Sequence, residues 1–302
     1  MAPMLSTAGP IHWILDFDGT ITKRDTLNTL VNISAQNRPD SNVLAEWKRV
    51  SQAYMDDYKA TMQNALPKDT HRPSTIASEK LILGITEEVE RRSLDRVSES
   101  RLFAGLTGTI LYEGARRAVE TGEVQLRDGF QDFFRHVQDK QHAFHILSVN
   151  WSQRFIAACL HASGTVLPQK LSSVYSNELD GTEESMPSSG AIVPSSGNDS
   201  LIVSSRNKLS VLSHLREHEQ TPIVYIGDSW TDFECLLAAD LGICIRDDPM
   251  TSTQRTLAES LERVGVKCAH LEEINRIDHS AVFWTRDFHE VSAWLESPAL
   301  AK

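Results

Sequence analysis

The segment of residues 11–22 constrains the fold of this chain more than any other part of the sequence. An apolar run of strand length ends in two carboxylates, Asp16 and Asp18, and Gly19 and two threonine hydroxyls follow them. Side chains two positions apart lie on one face of an ideal strand, and a glycine permits a tight turn just after them. Ligands bind at the carboxyl ends of the strands in open α/β sheets. The segment therefore predicts a buried strand that brings two acids to a ligand site.

Two other interpretations of this segment involve no catalysis. A calcium-binding EF-hand loop that began at Asp16 would have Ile21 at its sixth position and Leu27 at its twelfth, where glycine and glutamate are needed. The calcium interpretation is therefore set aside. An acidic turn without chemistry would suit the segment on its own, but further polar residues follow other predicted strands of the chain.

The composition is that of a globular chain with a large core. The sequence has 302 residues, of which 40% are hydrophobic and 24% are charged, enough for one large α/β domain with an insertion. The formal net charge of −11 argues against nucleic acid or an anionic membrane as a partner. A local positive pocket for a small anionic substrate remains compatible with that charge.

Cysteine usage and the first residues of the sequence predict a cytoplasmic protein. None of the cysteines has C-x-x-C spacing, which is typical of small buried residues in a reducing compartment. They are Cys159, Cys235, Cys244 and Cys268. Residues 1–10 contain no basic cluster, and Asp16 interrupts the apolar run that follows, so we expect neither a signal peptide nor a membrane span.

Strand and helix patterns alternate from residue 126 to the end of the sequence, and this alternation predicts a parallel sheet with helices on both faces. Between about residues 25 and 122 the pattern is polar and helical instead, with Trp47, Val50 and Tyr54 near the 3.6-residue period. We therefore predict an α/β fold, a Rossmann-like parallel sheet core with an inserted all-helical cap. The predicted boundaries are 1–24 and 123–302 for the core and 25–122 for the cap.

Residues 178–205 differ in composition from the rest of the predicted core. They are rich in serine, glycine and proline, with short apolar pieces at 191–193 and 201–203. Such composition predicts an exposed excursion with mobile tips, for which a hairpin is one option.

Further polar residues follow strands or begin helices later in the chain. Ser148 ends a predicted strand, and Asn150 is expected to cap the next helix, whose free backbone amides would form an anion site beside Ser148. Lys208 begins a helix. Asp228 ends another strand, and Asp232 follows one helical turn later, so the two carboxylates can point into the same space.

In chain order, these residues resemble the four motifs of the haloacid dehalogenase-like (HAD) superfamily. The first motif is DFDGT from Asp16, the second is Ser148, the third is Lys208 and the fourth is GDSWTD up to Asp232. The insertion between the first two motifs resembles the helical cap of the phosphoserine-phosphatase-like subclass. Within that subclass, residues 148–152 and 227–237 look most like eukaryotic thiamine monophosphate phosphatase domains. Pyridoxal phosphate and methionine-salvage phosphatases remain open.

The chemistry of phosphoryl transfer fits the same residues. Transfer from a monoester needs an in-line nucleophile, a proton for the leaving alkoxide and positive charge around the phosphoryl oxygens. Asp16 is the predicted nucleophile, and Asp18 is the predicted general acid and later general base. Ser148 and Lys208 are predicted to bind the phosphate. The predicted Mg²⁺ ligands are Asp16, the backbone carbonyl of Asp18, Asp228 and, directly or through water, Asp232.

The sequence therefore predicts an enzyme that is a magnesium-dependent phosphatase of a small phosphorylated metabolite, with no nucleic-acid or membrane partner. A dehalogenase is disfavoured, because its reaction has no leaving alkoxide for Asp18 to protonate. A phosphotransferase and a catalytically silent phosphate-binding module on the same fold remain as alternatives. A silent module would be expected to lack at least one site residue, whereas all six are present. The substrate and the oligomeric state stay open.

Overall fold

The computed structural model describes residues 9–65, 74–167, 172–218, 221–276 and 282–296, and a seven-stranded parallel sheet forms its centre. Its strands are β1 (His12–Leu15), β2 (Ala143–Leu147), β3 (Ser172–Tyr175), β6 (Ile223–Gly227), β7 (Leu241–Ile245), β8 (Cys268–His270) and β9 (Val282–Thr285). Two short strands, β4 (Asn177–Leu179) and β5 (Ile192–Pro194), pair separately as an antiparallel hairpin. The order in the main sheet is β3-β2-β1-β6-β7-β9-β8. The predicted α/β fold with a parallel sheet is confirmed.

The strands that the apolar runs predicted are the four at the centre of this sheet. Every residue of β1, β2, β6 and β7 is buried, as expected for strands covered by helices on both faces. The remaining strands of the sheet, β3, β8 and β9, were not predicted from the sequence. The first two are the edge strands and are only half-buried along their length, so they lack a continuous apolar run.

Helices cover the sheet and also form the insertion. Those of the insertion are α1 (Leu27–Asn37), α2 (Val43–Ala65), α3 (Ile76–Glu99) and α4 (Gly108–Glu120). Those that alternate with the strands are α5 (Phe130–Asp139), α6 (Gln153–Ala162), α7 (Ser205–His218), α8 (Phe233–Ala238), α9 (Ser252–Arg263) and α10 (Phe288–Leu295). No helix within the described ranges is long and apolar enough to cross a membrane.

The insertion leaves the sheet region and returns to it at neighbouring points. An isolated antiparallel bridge joins Thr22 to Leu126, at the two ends of the inserted segment. Between residues 25 and 122, the described ranges 25–65 and 74–122 contain helices and no strand of the main sheet. The division into a core of 1–24 and 123–302 and a cap of 25–122 stays a prediction.

The predicted exposed excursion of residues 178–205 is confirmed in part, since residues 184–187 are exposed. A hairpin does form there, but Glu178 and Ser188 are buried. The Glu178 carboxylate accepts a hydrogen bond of 2.7 Å from the Ser152 hydroxyl, and the Ser188 amide donates to the Leu106 carbonyl at 2.7 Å. Because these polar groups have partners inside the protein, a polar composition did not imply exposure here.

An aromatic cluster fixes α5 and α10 against the sheet. Phe133 is fully buried, and its ring centroid lies 4.9 Å from that of Trp13 and 5.1 Å from that of Phe288. The Trp13 pair has the edge-to-face geometry that aromatic rings prefer. The cluster therefore joins β1, which ends at the first acidic motif, to two helices from later in the chain.

We predict that Phe133→Ala lowers the free energy of unfolding by about 3–5 kcal/mol, because it removes a fully buried ring and leaves a cavity. Urea unfolding measures this loss. Leu44→Ala is the control, since Leu44 is 56% exposed on α2, and it should change stability by no more than about 0.5 kcal/mol. Equal losses of unfolding free energy in Phe133→Ala and Leu44→Ala would contradict the assignment of Phe133 to the core.

Candidate active site

The register of the central strands brings the predicted acids to one edge of the sheet. Leu15 at the end of β1 pairs with Ile226 of β6, so Asp16 and Asp228 follow on neighbouring strands. The Asp16 amide donates to the Ile226 carbonyl at 2.9 Å, which continues the ladder as far as the first acid. Asp16 and Asp228 are each 4% exposed. Two carboxylates from distant parts of the chain thus lie side by side in a buried location.

Lys208 forms the positive centre of this site. Its side chain is fully buried, and its Nζ lies 2.7 Å from Asp232 Oδ1 and 3.0 Å from Asp16 Oδ1. Burial lowers the pKa of Lys208, but the two carboxylates raise it more, so the ammonium form is favoured. Lys208 lies in the first turn of α7, which begins at Ser205 and not at Lys208 as predicted. The ammonium can offset negative charge on both acids and on a bound phosphoryl group.

Asp232 is held by a full set of hydrogen bonds. The Tyr225 hydroxyl donates to Oδ1 at 2.6 Å, and the backbone amides of Asp228 and Ser229 donate to Oδ2 at 3.1 and 3.0 Å. Gly227 is needed at this point, because a Cβ there would lie 2.4 Å from Asp232 Cγ. With these donors and Lys208 around it, Asp232 is suited to fix the Asp228 loop and the lysine.

Asp18 has different partners from this cluster, one at the start of the insertion and one after β2. Its Oδ1 accepts hydrogen bonds from the Thr26 amide at 2.8 Å and the Thr26 hydroxyl at 2.6 Å, and Asn150 Nδ2 donates to Oδ2 at 2.7 Å. Burial, with the repulsion of Asp25, raises the pKa of Asp18 to about 7. A carboxyl with this pKa can give and take a proton near neutral pH.

Asn150 therefore has a different role from the predicted helix cap. Ser152 is the N-cap of α6, since its side chain accepts a hydrogen bond from the Phe155 amide at 3.1 Å. Ser148 lies just beyond β2 as predicted and is fully buried, and its hydroxyl accepts the Asn150 amide at 3.2 Å. The serine is thus close to the residue that orients Asp18.

The turn after Asp18 closes directly over Asp228. Gly19 has a φ of 74°, and a Cβ on it would lie 2.4 Å from Asp228 Oδ2. The adjacent Thr20 hydroxyl donates to Asp228 Oδ1 at 3.1 Å. Glycine is required here by both the backbone conformation and the available space.

Arg127 supports this turn and was missed by the sequence analysis. Its guanidinium is buried and donates to the carbonyls of Gly19 at 2.6 Å and Thr20 at 3.0 Å, and it forms an ion pair of 2.6 Å with Asp247. The arginine is more than a hundred residues from the turn, and no motif marks it. Only the folded chain reveals the contact.

The acids at the sheet edge can hold a divalent cation. Among the described residues, Asp16, Asp228 and Asp232 each offer an oxygen within 4.8 Å of the others. Burial and the other two acids raise the pKa of Asp228 well above its usual range, and burial raises that of Asp16 to about 6. Asp16 Oδ1 is buried, and its contact with Lys208 is not directed as a hydrogen bond. An oxygen-only set with this excess of negative charge fits a hard cation.

A cavity of about 820 Å³ opens from these acids toward the insertion. Asp16, Asp18 and Asp228 line one end of it. The insertion lines the other end with aromatic and apolar side chains, chiefly Trp47, Val50, Tyr54, Tyr58 and Leu94, and with Glu90. Its volume is in the range of small-molecule sites.

A buried acid connects the insertion to the motif that contains Asp228. Glu79 on α3 is fully buried and accepts hydrogen bonds from Trp230 Nε1 at 2.9 Å and from Arg263 Nη2 at 2.8 Å. Trp230 lies within the fourth motif and Arg263 at the end of α9. This contact joins the insertion to the sheet side of the cavity, and no sequence motif predicts it.

Sequence comparison identifies the chain's relatives. It is 32% identical over 244 residues to a CTO1 family protein of Schizosaccharomyces pombe, with 78% of this chain and 82% of that protein covered. The chain belongs to the CTO1 family. Cold tolerance protein 1 of Saccharomyces cerevisiae is 23% identical over 276 residues, and the match covers 84% of each chain. No family model matches the chain.

A further relative of this CTO1 family chain is the mitochondrial bifunctional TH2 protein of Arabidopsis thaliana. The two are 26% identical over 271 residues, which cover 83% of the chain and 40% of the Arabidopsis protein. The similarity is therefore to part of a longer protein.

Solved structures share the fold of this CTO1 family chain. A phosphoserine phosphatase solved as a phospho-aspartyl intermediate analogue has a TM-score of 0.52 at 13% identity, with 95% of the chain and 99% of that structure covered. Cytosolic 5'-nucleotidase IIIB bound to cytidine has a TM-score of 0.54 at 17% identity, with 94% and 84% covered. The predicted HAD-like, phosphoserine-phosphatase-like fold is confirmed.

We predict that Lys208→Met lowers the free energy of unfolding by about 3–5 kcal/mol, because Asp16 and Asp232 would lose their buried counter-charge. Urea unfolding at neutral pH in excess chelator measures the effect without metal. Lys140→Met is the matched control, because Lys140 is exposed and its charge is not buried by folding. Similar unfolding midpoints for both variants would contradict the assigned charge balance.

Proposed function

We propose that this CTO1 family protein hydrolyses a small phosphomonoester through a phosphorylated Asp16. The observation that carries the proposal is that the two acids of the first motif, Asp16 and Asp18, lie in different surroundings. Asp16 is buried beside the Lys208 ammonium, whereas Asp18 is held separately by Thr26 and Asn150 with a pKa of about 7. The first is suited to nucleophilic attack, and the second is suited to proton transfer.

In the first step, an Asp16 carboxylate oxygen attacks phosphorus and the bond from phosphorus to the ester oxygen breaks. Asp18, in its protonated form, gives its proton to the departing oxygen, so that the alcohol leaves neutral. Lys208 and the Ser148 hydroxyl bind the phosphoryl oxygens, and the lysine stabilises their charge. The hydrogen bonds from Thr26 and Asn150 fix the direction in which Asp18 delivers its proton.

In the second step, a water molecule attacks the phosphorus of the aspartyl phosphate. Asp18, now ionised, removes a proton from this water, and the bond between phosphorus and the Asp16 oxygen breaks. Inorganic phosphate leaves, and both acids return to their starting forms. The phosphoserine phosphatase with the same fold, solved as a phospho-aspartyl intermediate analogue, supports this sequence of steps.

The site also fits Mg²⁺, which we propose as the resident cation. Asp16, Asp228 and the Asp18 carbonyl would hold it, and the hydrogen-bonded Asp232 would contribute through water. When bound, the cation supplies positive charge that neutralises the acids and the phosphoryl oxygens. The raised pKa of Asp228 supports this assignment, because burial and the neighbouring acids disfavour its ionised form, which a bound cation would stabilise.

The insertion is proposed to act as a cap over the reaction. Its helices line the cavity that opens from Asp16 and Asp18, so they can contact the organic part of the substrate and limit water entry. The resemblance of residues 148–152 and 227–237 to thiamine monophosphate phosphatase domains makes thiamine monophosphate the first substrate to test. All four cysteines are free, in keeping with the proposed reducing, cytoplasmic location.

We predict that Asp16→Asn abolishes turnover, because an amide cannot form the acyl phosphate. Asp18→Asn should leave the nucleophile intact and remove the proton donor, a contribution of about 10²–10⁴-fold. Its loss should be severe with an alkyl phosphate and milder in the first step with p-nitrophenyl phosphate, whose phenolate needs little protonation. Burst kinetics and intact-mass measurement with both esters, in magnesium and in excess chelator, test these roles.

Two outcomes would overturn the assignment of Asp16 and Asp18. One is phosphorylation of the Asp16→Asn protein, and the other is an equal loss on both esters for Asp18→Asn. Wild-type protein that transfers the phosphoryl group to added alcohols in preference to water would identify a phosphotransferase. Wild-type protein that releases no phosphate from any ester would favour a silent binding module.

A further inference from the structure

The wall of the cavity that the insertion provides combines aromatic rings with one carboxylate. Trp47, Tyr54 and Tyr58 come from α2, Trp151 comes from the loop after β2, and Glu90 comes from α3. The Trp47 and Trp151 ring centroids are 5.9 Å apart, and those of Tyr54 and Tyr58 are 6.0 Å apart. Aromatic faces attract cations as well as apolar groups. This wall is the part of the cavity that would face the organic group of a phosphomonoester bound at Asp16.

Glu90 differs from the other acids around it on α2 and α3. Glu87 forms an ion pair of 2.9 Å with Arg91, and Asp57 forms ion pairs of 2.9 Å with Arg92 and 3.2 Å with Arg96. Within the described residues, Glu90 has no such ion pair to lysine or arginine. The neighbouring arginines are thus engaged elsewhere, and Glu90 presents its carboxyl group to the cavity.

The hydrogen bond that Glu90 does have leaves it able to bind a ligand. The Tyr54 hydroxyl donates to Glu90 Oε1 at 2.8 Å, which satisfies one oxygen and orients the other. Burial raises the pKa of Glu90 to about 7, as expected for a carboxylate that lacks a charged partner. A cation in the cavity would supply that partner. A half-buried carboxylate beside aromatic faces is a recognised arrangement for binding positively charged nitrogen.

The charged side chains that line the cavity also favour a cationic ligand. Its lining includes the carboxylates of Asp16, Asp18, Asp25, Asp228 and Glu90 but only two cationic side chains, Lys23 and Arg24. The proposed cation and Lys208 offset the acids at the phosphate end, whereas Glu90 lies with the aromatic residues of the insertion. A substrate with a second negative charge on its organic group would be repelled there.

We propose that Glu90, oriented by Tyr54, selects phosphomonoesters whose alcohol part carries a positively charged nitrogen. This inference rests on the proposed phosphatase function and adds the class of substrate. The carboxylate binds the cationic centre, and the rings of Trp47, Tyr58 and Trp151 surround it. Phosphate at one end and a cation at the other make the substrate a zwitterion.

The alternative is that the pair of Tyr54 and Glu90 only fastens α2 to α3. In that case its loss would change stability, or would change activity on every ester by the same factor. A role in recognition predicts a change that depends on the charge of the leaving group. Substrates of equal shape and different charge therefore separate the two explanations.

The experiment compares phosphocholine with its neutral isostere, in which a carbon atom replaces the quaternary nitrogen. We expect the wild-type protein with Mg²⁺ to prefer phosphocholine by roughly tenfold or more in kcat/KM, the scale of a cation held by a carboxylate and aromatic rings. Glu90→Gln should remove this preference mainly through KM, and should leave activity on p-nitrophenyl phosphate within about twofold of wild type. Thiamine monophosphate, which also carries a cationic ring, should lose kcat/KM in parallel with phosphocholine.

Glu88→Gln is the matched control, because Glu88 lies on the same helix and is exposed. It should keep the preference for phosphocholine. Tyr54→Phe keeps the ring and the carboxylate but removes the hydrogen bond that orients Glu90, so it should weaken the preference for the cationic ester without abolishing it. Thermal unfolding of each variant checks that it is folded. A phosphocholine preference that survives in folded Glu90→Gln protein, or that wild-type protein lacks, overturns the inference.

A failure of the phosphatase proposal can be distinguished from a failure of the inference about Glu90. If wild-type protein hydrolyses no ester, including p-nitrophenyl phosphate, then the phosphatase proposal has failed. Calorimetric binding of phosphocholine and its isostere still tests Glu90, because it needs no turnover. Tighter binding of phosphocholine that disappears in Glu90→Gln supports recognition of the cation, and equal binding of the two compounds contradicts it.

Discussion

The buried ammonium of Lys208 is the interaction on which the site depends. Three acids converge at the carboxyl edge of the sheet, and burial together with their mutual repulsion raises the pKa values of Asp16 and Asp228. Lys208 contacts Asp16 and Asp232 at the same time, so one positive charge supports the first and the fourth motif. Unpaired buried charge is strongly destabilising, which makes the lysine a structural requirement as well as the phosphate ligand that we propose. Stability and chemistry are therefore coupled at this residue.

The two acids of the first motif differ because different parts of the protein hold them. Asp16 belongs to the sheet edge, where Lys208 faces it. Asp18 is bonded to Thr26 at the start of the insertion and to Asn150 after β2. A carboxyl without a cationic partner keeps a raised pKa, whereas one beside an ammonium ionises more readily. One short motif thus places two carboxyl groups in different surroundings, which suits the two roles that we propose for them.

The insertion contributes to the site at two places along α3. Glu79 binds Trp230 and Arg263, so α3 is attached to the motif that contains Asp228. On the cavity side, the same helix presents Glu90 to the space above the acids. A movement of α3 would therefore alter both the contact with the fourth motif and the wall of the cavity. This shared helix therefore links the cavity wall to the motif that contains Asp228.

The sequence by itself determined the central strands, the parallel sheet and the six candidate residues, because apolar runs and polar strand ends are local patterns. It did not reveal the edge strands, the burial of individual polar residues within 178–205, or the roles of Asn150 and Ser152. Arg127, Glu79 and Glu90 also carry no local signal, since each is an ordinary charged residue whose role depends on partners far away in the chain. Only tertiary structure decides which charges are buried, which have a counter-charge, and which face the cavity. For this protein, the motifs predict the type of reaction, and the packing of the insertion against the sheet shapes the cavity that we propose for the substrate.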